Sequence, residues 1–307
     1  MAQQLLRIGV IGIGHLGTRH AQIYAGLPGV RLTALCDTQL KHARQLAKPM
    51  KCRAVADYHD LLDDVDAVSL AVPTVAHARI GRALLERGIH VLIEKPIAAT
   101  LPEADALIRT AAQRRVVLQV GHVERFNAAI HAAMQHVTRP RFIEVHRLSP
   151  YPFRGTDVSV ILDVMIHDLD MLLLLVHSRI RRVQALGVPV LSRSEDIANA
   201  RLEFASGCVA NLTASRISDE SIRRIRVFQE DSYLSIDYKA QTVELARKSA
   251  SRIARVNLPV NQRPPLQDEL ASFIQAIRTH RPPPVTGADA RAALALALRI
   301  EQTMRRA

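Results

Sequence analysis

The segment Gly12-Ile13-Gly14-His15-Leu16-Gly17 constrains this chain most, because of what surrounds it. An apolar run, 5–11, precedes it, and a stretch with helical spacing, 16–25, follows. A second apolar run, 32–36, ends at Asp37, which stands 37 − 17 = 20 residues past the last glycine. Strand, glycine turn, helix, strand and acid in that order form the dinucleotide-binding fingerprint. The first glycine permits the tight turn. The second lets backbone approach a pyrophosphate, and the third lets helix pack on strand. The helix N-terminus at His15 and Leu16 offers its N–H groups to phosphate. A carboxylate at Asp37 accepts from both ribose hydroxyls and repels a 2′-phosphate, so the expected cofactor is NAD rather than NADP. The glycines alone would also suit a tight turn without a ligand. The strand, helix and acid around them favour the cofactor.

At 307 residues the chain is at the edge of what one core can serve, and two domains are expected. The boundary is placed at 1–121 and 122–307, with the last helix packing back on the first domain. Hydrophobic residues, 48% of the chain, suffice for two cores. The longest greasy run, 171–176, is core-sized and far short of a membrane span. The N-terminus shows no secretory signal. Cys36, Cys52 and Cys208 have no metal-ligand spacing, and reduced thiols in a cytoplasm are expected. The formal net charge is +12, but the basic residues are dispersed, aromatics are only 4% and there is no Trp. Nucleic acid is therefore a poor fit. An arginine-rich solvated surface that also attracts an anionic substrate fits better.

Strands and helices alternate up to about residue 120. Strand candidates are 6–11, 32–36, 67–72, 90–94 and 116–120; helical candidates are 16–26, 38–48, 75–87 and 102–114. Continuous apolar strands between helices imply a doubly wound parallel sheet, a Rossmann fold. After residue 121 a helical piece (127–136), a strand (142–148) and a helix near 160–175 are followed by β-like segments at 181–188, 199–205, 208–215, 224–230, 232–238 and 241–247. That pattern reads as an α+β domain with a mostly antiparallel open sheet. Helices at 265–279 and 287–304 close the chain.

Three further motifs carry chemistry. Glu94-Lys95-Pro96 ends a parallel strand, where the ligand crevice lies, so Lys95 is expected beside whatever meets the nicotinamide. An ammonium there polarises a hydroxyl or stabilises an alkoxide; a surface lysine in a turn is the plain alternative. On a straight helix Asp163, His167 and Asp170 fall within about 60° of one another. A histidine flanked by carboxylates suits a general base, with Asp163 holding its tautomer. A zinc site and a structural polar network are the rivals, and no metal is expected. Asp168 points away from that strip. Gly121 to Asn127 marks a domain boundary or a crevice wall, with Arg125 as an anchor for an anionic group.

With these residues in hand, the chain resembles the glucose–fructose oxidoreductase/inositol dehydrogenase (Gfo/Idh/MocA) family along nearly its whole length. The resemblance rests on Gly12, Gly14 and Gly17, on Glu94-Lys95-Pro96, and on Asp163, His167 and Asp170. It implies Lys95 and His167 as the catalytic pair with Asp163 in support. It implies Pro73, Thr74 and His77, together with Glu94 and Lys95, at the cofactor. Arg125, Arg154 and Asp170 are expected at the substrate. A glycine triplet that many relatives carry before the helix is replaced here by 155–160, so the substrate cannot be copied from the family at large. The stretches 121–127, 165–170, 196–204 and 207–215 resemble the branch that uses NAD to oxidise UDP-N-acetylglucosamine at its 3-hydroxyl. In that branch an aminotransferase partner follows and the product feeds a variant lipid A. The resemblance also implies a homodimer or homotetramer. The alternatives are a dehydrogenase of inositol or another free sugar, and a NAD-sensing binding protein without turnover.

Overall fold

The computed structural model describes residues 5–151, 158–249 and 252–305. They group into two compact units, Met1–His122 with Leu266–Arg291, and Val123–Pro265 with Ala292–Ala307.

In the first unit β1 (Leu6–Ile11), α1 (His15–Gly26), β2 (Val30–Cys36), α2 (Leu40–Met50), β3 (Arg53–Val55), β4 (Ala67–Leu70), α3 (Thr74–Glu86), β5 (His90–Glu94), α4 (Leu101–Arg114) and β6 (Leu118–Gly121) alternate along the chain. The strands form one parallel sheet in the order β3-β2-β1-β4-β5-β6. The order reverses between β1 and β4, which brings the turns after those strands to the edge where ligands bind such sheets. Every residue of β4 and of β6 is buried, as helices on both faces require. Thr100 caps α4 in a capping box with Glu103, and Pro102 sits in its first turn.

In the second unit α5 (Ala128–Met134) leads to β7 (Phe142–Leu148). A π-helical turn, Ile161–Met165, then runs directly into α6 (Ile166–Val176). Seven strands follow: β8 (Ile180–Val188), β9 (Ile197–Phe204), β10 (Val209–Ser215), β11 (Ile222–Phe228), β12 (Ser232–Asp237), β13 (Thr242–Ser249) and β14 (Arg252–Asn257). The sheet order is β14-β13-β12-β11-β7-β10-β9-β8, and β7 with β10 is its parallel pair. The period-two pattern buries one face: Ala198, Ala200, Leu202 and Phe204 of β9 join Ile143, Val145, Leu212, Ile225 and Ile236 in one core with Met165, Leu169 and Leu172. The opposite face is half-exposed, and Leu186 and Val188 are open to solvent.

Two helices end the chain, α7 (Pro265–Thr279) and α8 (Gly287–Met304). Leu270, Phe273 and Ile274 of α7 pack with Ile8, Val10 and Leu35 in the core of the first unit. Ala293, Leu296 and Ile300 of α8 lie in the core of the second.

Candidate active site

The glycine turn after β1 has the geometry that the spacing called for. Gly12 sits at φ +81, and a Cβ there would lie 2.6 Å from the Ala71 carbonyl oxygen. A Cβ on Gly17 would fall 1.8 Å from the Gly12 carbonyl oxygen, so only glycine lets α1 pack this close. Around Gly14 there is no heavy atom within 4 Å of a built Cβ. Gly14 is also the N-cap of α1, whose first turn, from His15 and Leu16, has no side-chain cap and no acidic residue. An open approach to an uncapped helix start fits a pyrophosphate.

Asp37 closes over the same turn. Its Oδ2 accepts from the Ile13 N–H (3.1 Å) and its Oδ1 from the Gln39 N–H (2.9 Å). Each carboxylate oxygen keeps a further acceptor direction, so the group can hold the loop and a ribose diol together. The Ile13 carbonyl is held by the Thr18 hydroxyl at 3.0 Å and faces His42 Nε2 at 3.1 Å. No spacing rule joins His42 to this turn, 42 − 13 = 29 residues on from Ile13.

The second turn starts α3. Pro73 is its N-cap and Thr74 its first residue, again without a side-chain cap. His77 is buried, not presented to a ligand: Nδ1 lies 2.8 Å from the Pro96 carbonyl oxygen and Nε2 lies 2.9 Å from that of Val72. A neutral ring donates to one carbonyl and an imidazolium to both. Burial disfavours the charge and pulls the pKa down, against the two carbonyls.

Glu94 likewise turns inward, where a cofactor contact had been expected. Its Oε1 is 3.1 Å from His20 Nε2, and its Oε2 accepts from the Lys95 N–H at 3.3 Å. Burial works to raise the Glu94 pKa, but His20 and Lys95 outweigh it and hold the carboxyl below its usual range. Gly121 makes the room: a Cβ there would lie 2.7 Å from Glu94 Oε2. Among the described residues, His20, Glu94 and Glu269 are ligand-type groups whose atoms come within 4.8 Å of one another.

In the second unit Asp163 stands on the π-helical turn and His167 on the first turn of α6, both half-buried. A π turn carries an extra residue, so the angle between them is not that of the straight α-helix assumed from the spacing. Asp170 is fully buried and holds Arg125 in a two-pronged pair: Nε to Oδ2 and Nη2 to Oδ1, both 2.7 Å. Two residues expected at the substrate are thus bound to each other. Arg154 lies outside the described residues.

Asp168 does point away from that strip, into the protein. It accepts from the Tyr238 hydroxyl (2.6 Å) and Arg147 Nε (3.0 Å), and Arg147 Nη2 reaches Glu124 at 3.1 Å. A second buried pair sits just before the π turn. Asp196 accepts from Arg216 Nε (2.9 Å), from the Ser192 hydroxyl and from the N–H groups of Val190, Leu191 and Ser192. Burial works to raise its pKa, and these donors hold it well below the usual carboxylate range. Arg216 Nη1 also holds the Val158 carbonyl at 2.9 Å, two residues before helical geometry begins at Val160.

Known proteins share this fold. The profile of the oxidoreductase family with an NAD-binding Rossmann fold matches residues 6–122, and that of the GFO/IDH/MocA C-terminal domain matches residues 105–235. The chain is 38% identical over 306 residues to UDP-N-acetylglucosamine 3-dehydrogenase from Acidithiobacillus ferrooxidans, covering 96% of each chain. A solved structure of that enzyme matches with a TM-score of 0.92 and 37% identity over 98% of both chains. Myo-inositol 2-dehydrogenase from Thermotoga maritima is 28% identical, over 95% of this chain and 94% of its own. Levoglucosan dehydrogenase, solved with NADH and levoglucosan, shares the fold at a TM-score of 0.89 and 19% identity, covering 99% of this chain and 98% of that one. No helix among the described residues is long and apolar enough to cross a membrane. The chain belongs to the GFO/IDH/MocA family and is an NAD-dependent oxidoreductase.

Proposed function

We propose that this enzyme oxidises the 3-hydroxyl of UDP-N-acetylglucosamine to a 3-oxo sugar, which an aminotransferase then aminates on the way to a variant lipid A. The observation that carries the reading is the 38% identity spanning 96% of both chains, against 28% to the inositol enzyme. The net charge of +12 suits a diphosphate substrate.

The open Gly14 turn and uncapped α1 would hold the pyrophosphate of NAD and Asp37 its ribose, with the turn at Pro73 and Thr74 on the same sheet edge. The chemistry so supplied would be that of a hydride acceptor for the sugar carbon. His167 takes the hydroxyl proton as general base, and Asp163 orients its imidazole. The Lys95 ammonium stabilises the negative charge that grows on the oxygen. Arg125, held by Asp170, is the anchor for an anionic group of the substrate. None of these steps needs a metal ion. Two copies pair through the half-exposed sheet face that carries Leu186 and Val188, giving a homodimer or homotetramer.

A thermal-shift panel with NAD present tests the substrate class. UDP-N-acetylglucosamine should raise the melting temperature more than UDP, myo-inositol or free N-acetylglucosamine. Stabilisation by myo-inositol alone would move the reading to the free-sugar dehydrogenases. Stabilisation by NAD with no response to any sugar would favour a NAD sensor.

A further inference from the structure

We propose that two buried histidines, His20 and His77, are positioning residues that brace Lys95 from its two flanks. The inference deepens the proposed function and rests on its reading of Lys95 as the group beside the reacting oxygen.

His20 lies on α1 with none of its surface exposed. Its Nδ1 is 2.7 Å from the Ser69 hydroxyl of β4, and its Nε2 is 3.1 Å from Glu94 Oε1. Glu94 in turn accepts from the Lys95 N–H through Oε2. His77 lies on α3 and is 1% exposed. It lies between the carbonyl oxygen of Pro96, the residue after Lys95, and that of Val72. The residue before Lys95 is therefore fixed by its side chain, and the residue after it by its carbonyl.

Each brace comes from a helix that begins at a cofactor-side turn. α1 starts at the glycine turn, and α3 starts just after Val72 and Pro73. The turns that hold the cofactor and the segment that carries Lys95 are thus tied to the same two helices. Catalysis is sensitive to such ties, since a shift of about 1 Å at a reacting group costs on the order of 10²-fold in rate. Folding alone does not ask for this chemistry, because a buried polar group costs desolvation that apolar side chains of the same volume do not incur. What the His20–Glu94 pair adds is a fixed carboxylate against the Lys95 backbone.

The test is a double-mutant cycle on kcat, with NAD and UDP-N-acetylglucosamine, and with NADH affinity measured alongside. Lys95→Ala should lose about 10²-fold or more, as loss of an oxyanion-stabilising group does. His20→Leu and His77→Leu should each lose about tenfold in kcat while NADH affinity stays within about threefold. In the Lys95→Ala background the same changes should cost no more than about twofold, because their effect runs through Lys95. His20→Gln, whose amide still reaches Glu94, should recover most of the rate. Should His20→Leu fail to fold, Ser69→Ala takes its place in the cycle with His20→Gln as its control, and should His77→Leu fail, the His20 arm alone decides. Amide exchange over 92–99 should then rise in Ser69→Ala and stay unchanged in His20→Gln.

Equal losses with and without Lys95 would make the histidines merely structural and overturn the proposal. So would leucine variants as fast as the unaltered enzyme while Lys95→Ala is slow, and that result would leave the catalytic reading intact. If Lys95→Ala itself runs at full rate, the catalytic reading falls and the bracing falls with it.

Discussion

The two units commit their buried ionisable groups to different tasks. In the first, His20, Glu94 and His77 converge on one short segment, and two of their partners are backbone carbonyls. In the second, Arg125–Asp170, Arg147–Asp168 and Arg216–Asp196 are charge pairs that tie separate elements together around the helix of Asp163 and His167. The first arrangement aims a strand end; the second clamps a helix whose own backbone departs from α geometry. A site presented by strand ends needs its flanks fixed. A site presented by a helix needs that helix locked in place. Damage to the first unit's groups should therefore appear in kinetics, and damage to the second unit's pairs in stability.

The largest effect expected from this contrast is on folding. Asp196→Ala strands the fully buried Arg216 guanidinium without its carboxylate. Loss of one partner of a buried pair costs about 3–5 kcal/mol. Urea unfolding should show a drop of that order, against little change for an exposed pair such as Arg82–Glu86, where about 0–1 kcal/mol is at stake. The pH dependence has a definite sign. Asp196 is held below its ordinary carboxylate value in the folded protein, so its contribution is present at neutral pH and is lost as the medium becomes acid enough to protonate it. A variant as stable as the parent would erase the distinction between the units.

Next in size is His167→Ala. A general base is worth about 10²–10⁴ in rate, so kcat should fall at least about 10²-fold with NADH still bound. Steady-state rates and NADH fluorescence titration give the two numbers. Retention of full rate would leave His167 as one more member of the polar framework.

Asp37→Ala should have a smaller effect. The carboxylate holds Ile13 and, in the proposed reading, the ribose diol as well, so NADH should weaken while NADPH gains, narrowing their affinity ratio by about tenfold or less. Tighter NADPH binding by the unaltered enzyme would reverse the cofactor preference.

The smallest predicted effect is none: activity should survive dialysis against a chelator. Loss of rate, with recovery on adding zinc, would mean that His20, Glu94 and Glu269 or the His167 helix hold an ion.

What the sequence made legible follows from physics that acts locally. β1 and β5 could be bounded to the residue because their apolar stretches, Ile8–Ile11 and Val91–Ile93, are what a strand buried on both faces requires. β3, three residues long, and β14, exposed along its length, leave no such mark. The glycine turn was legible because Gly12 takes a positive φ within the turn itself and Gly17 meets the carbonyl of Gly12, its near neighbour in the chain. His20 was not, since its partner Glu94 stands 94 − 20 = 74 residues further on and no spacing rule joins them. The π turn was hidden too, because a straight helix was the only geometry the spacing suggested. Arg147 occupies the inward parity of β7 after Ile143 and Val145, and a charge on that face calls for a buried partner. Asp168, which the helical angle turned away from His167, is that partner.

The central claim, a UDP-sugar oxidised by NAD, is tested most directly by NADH formation from UDP-N-acetylglucosamine beside myo-inositol. An aminotransferase with its amino donor should be present to draw off the ketone. The account predicts NADH formation with the nucleotide sugar at a kcat/KM at least about tenfold above that with inositol. Turnover of inositol with none of UDP-N-acetylglucosamine would contradict it.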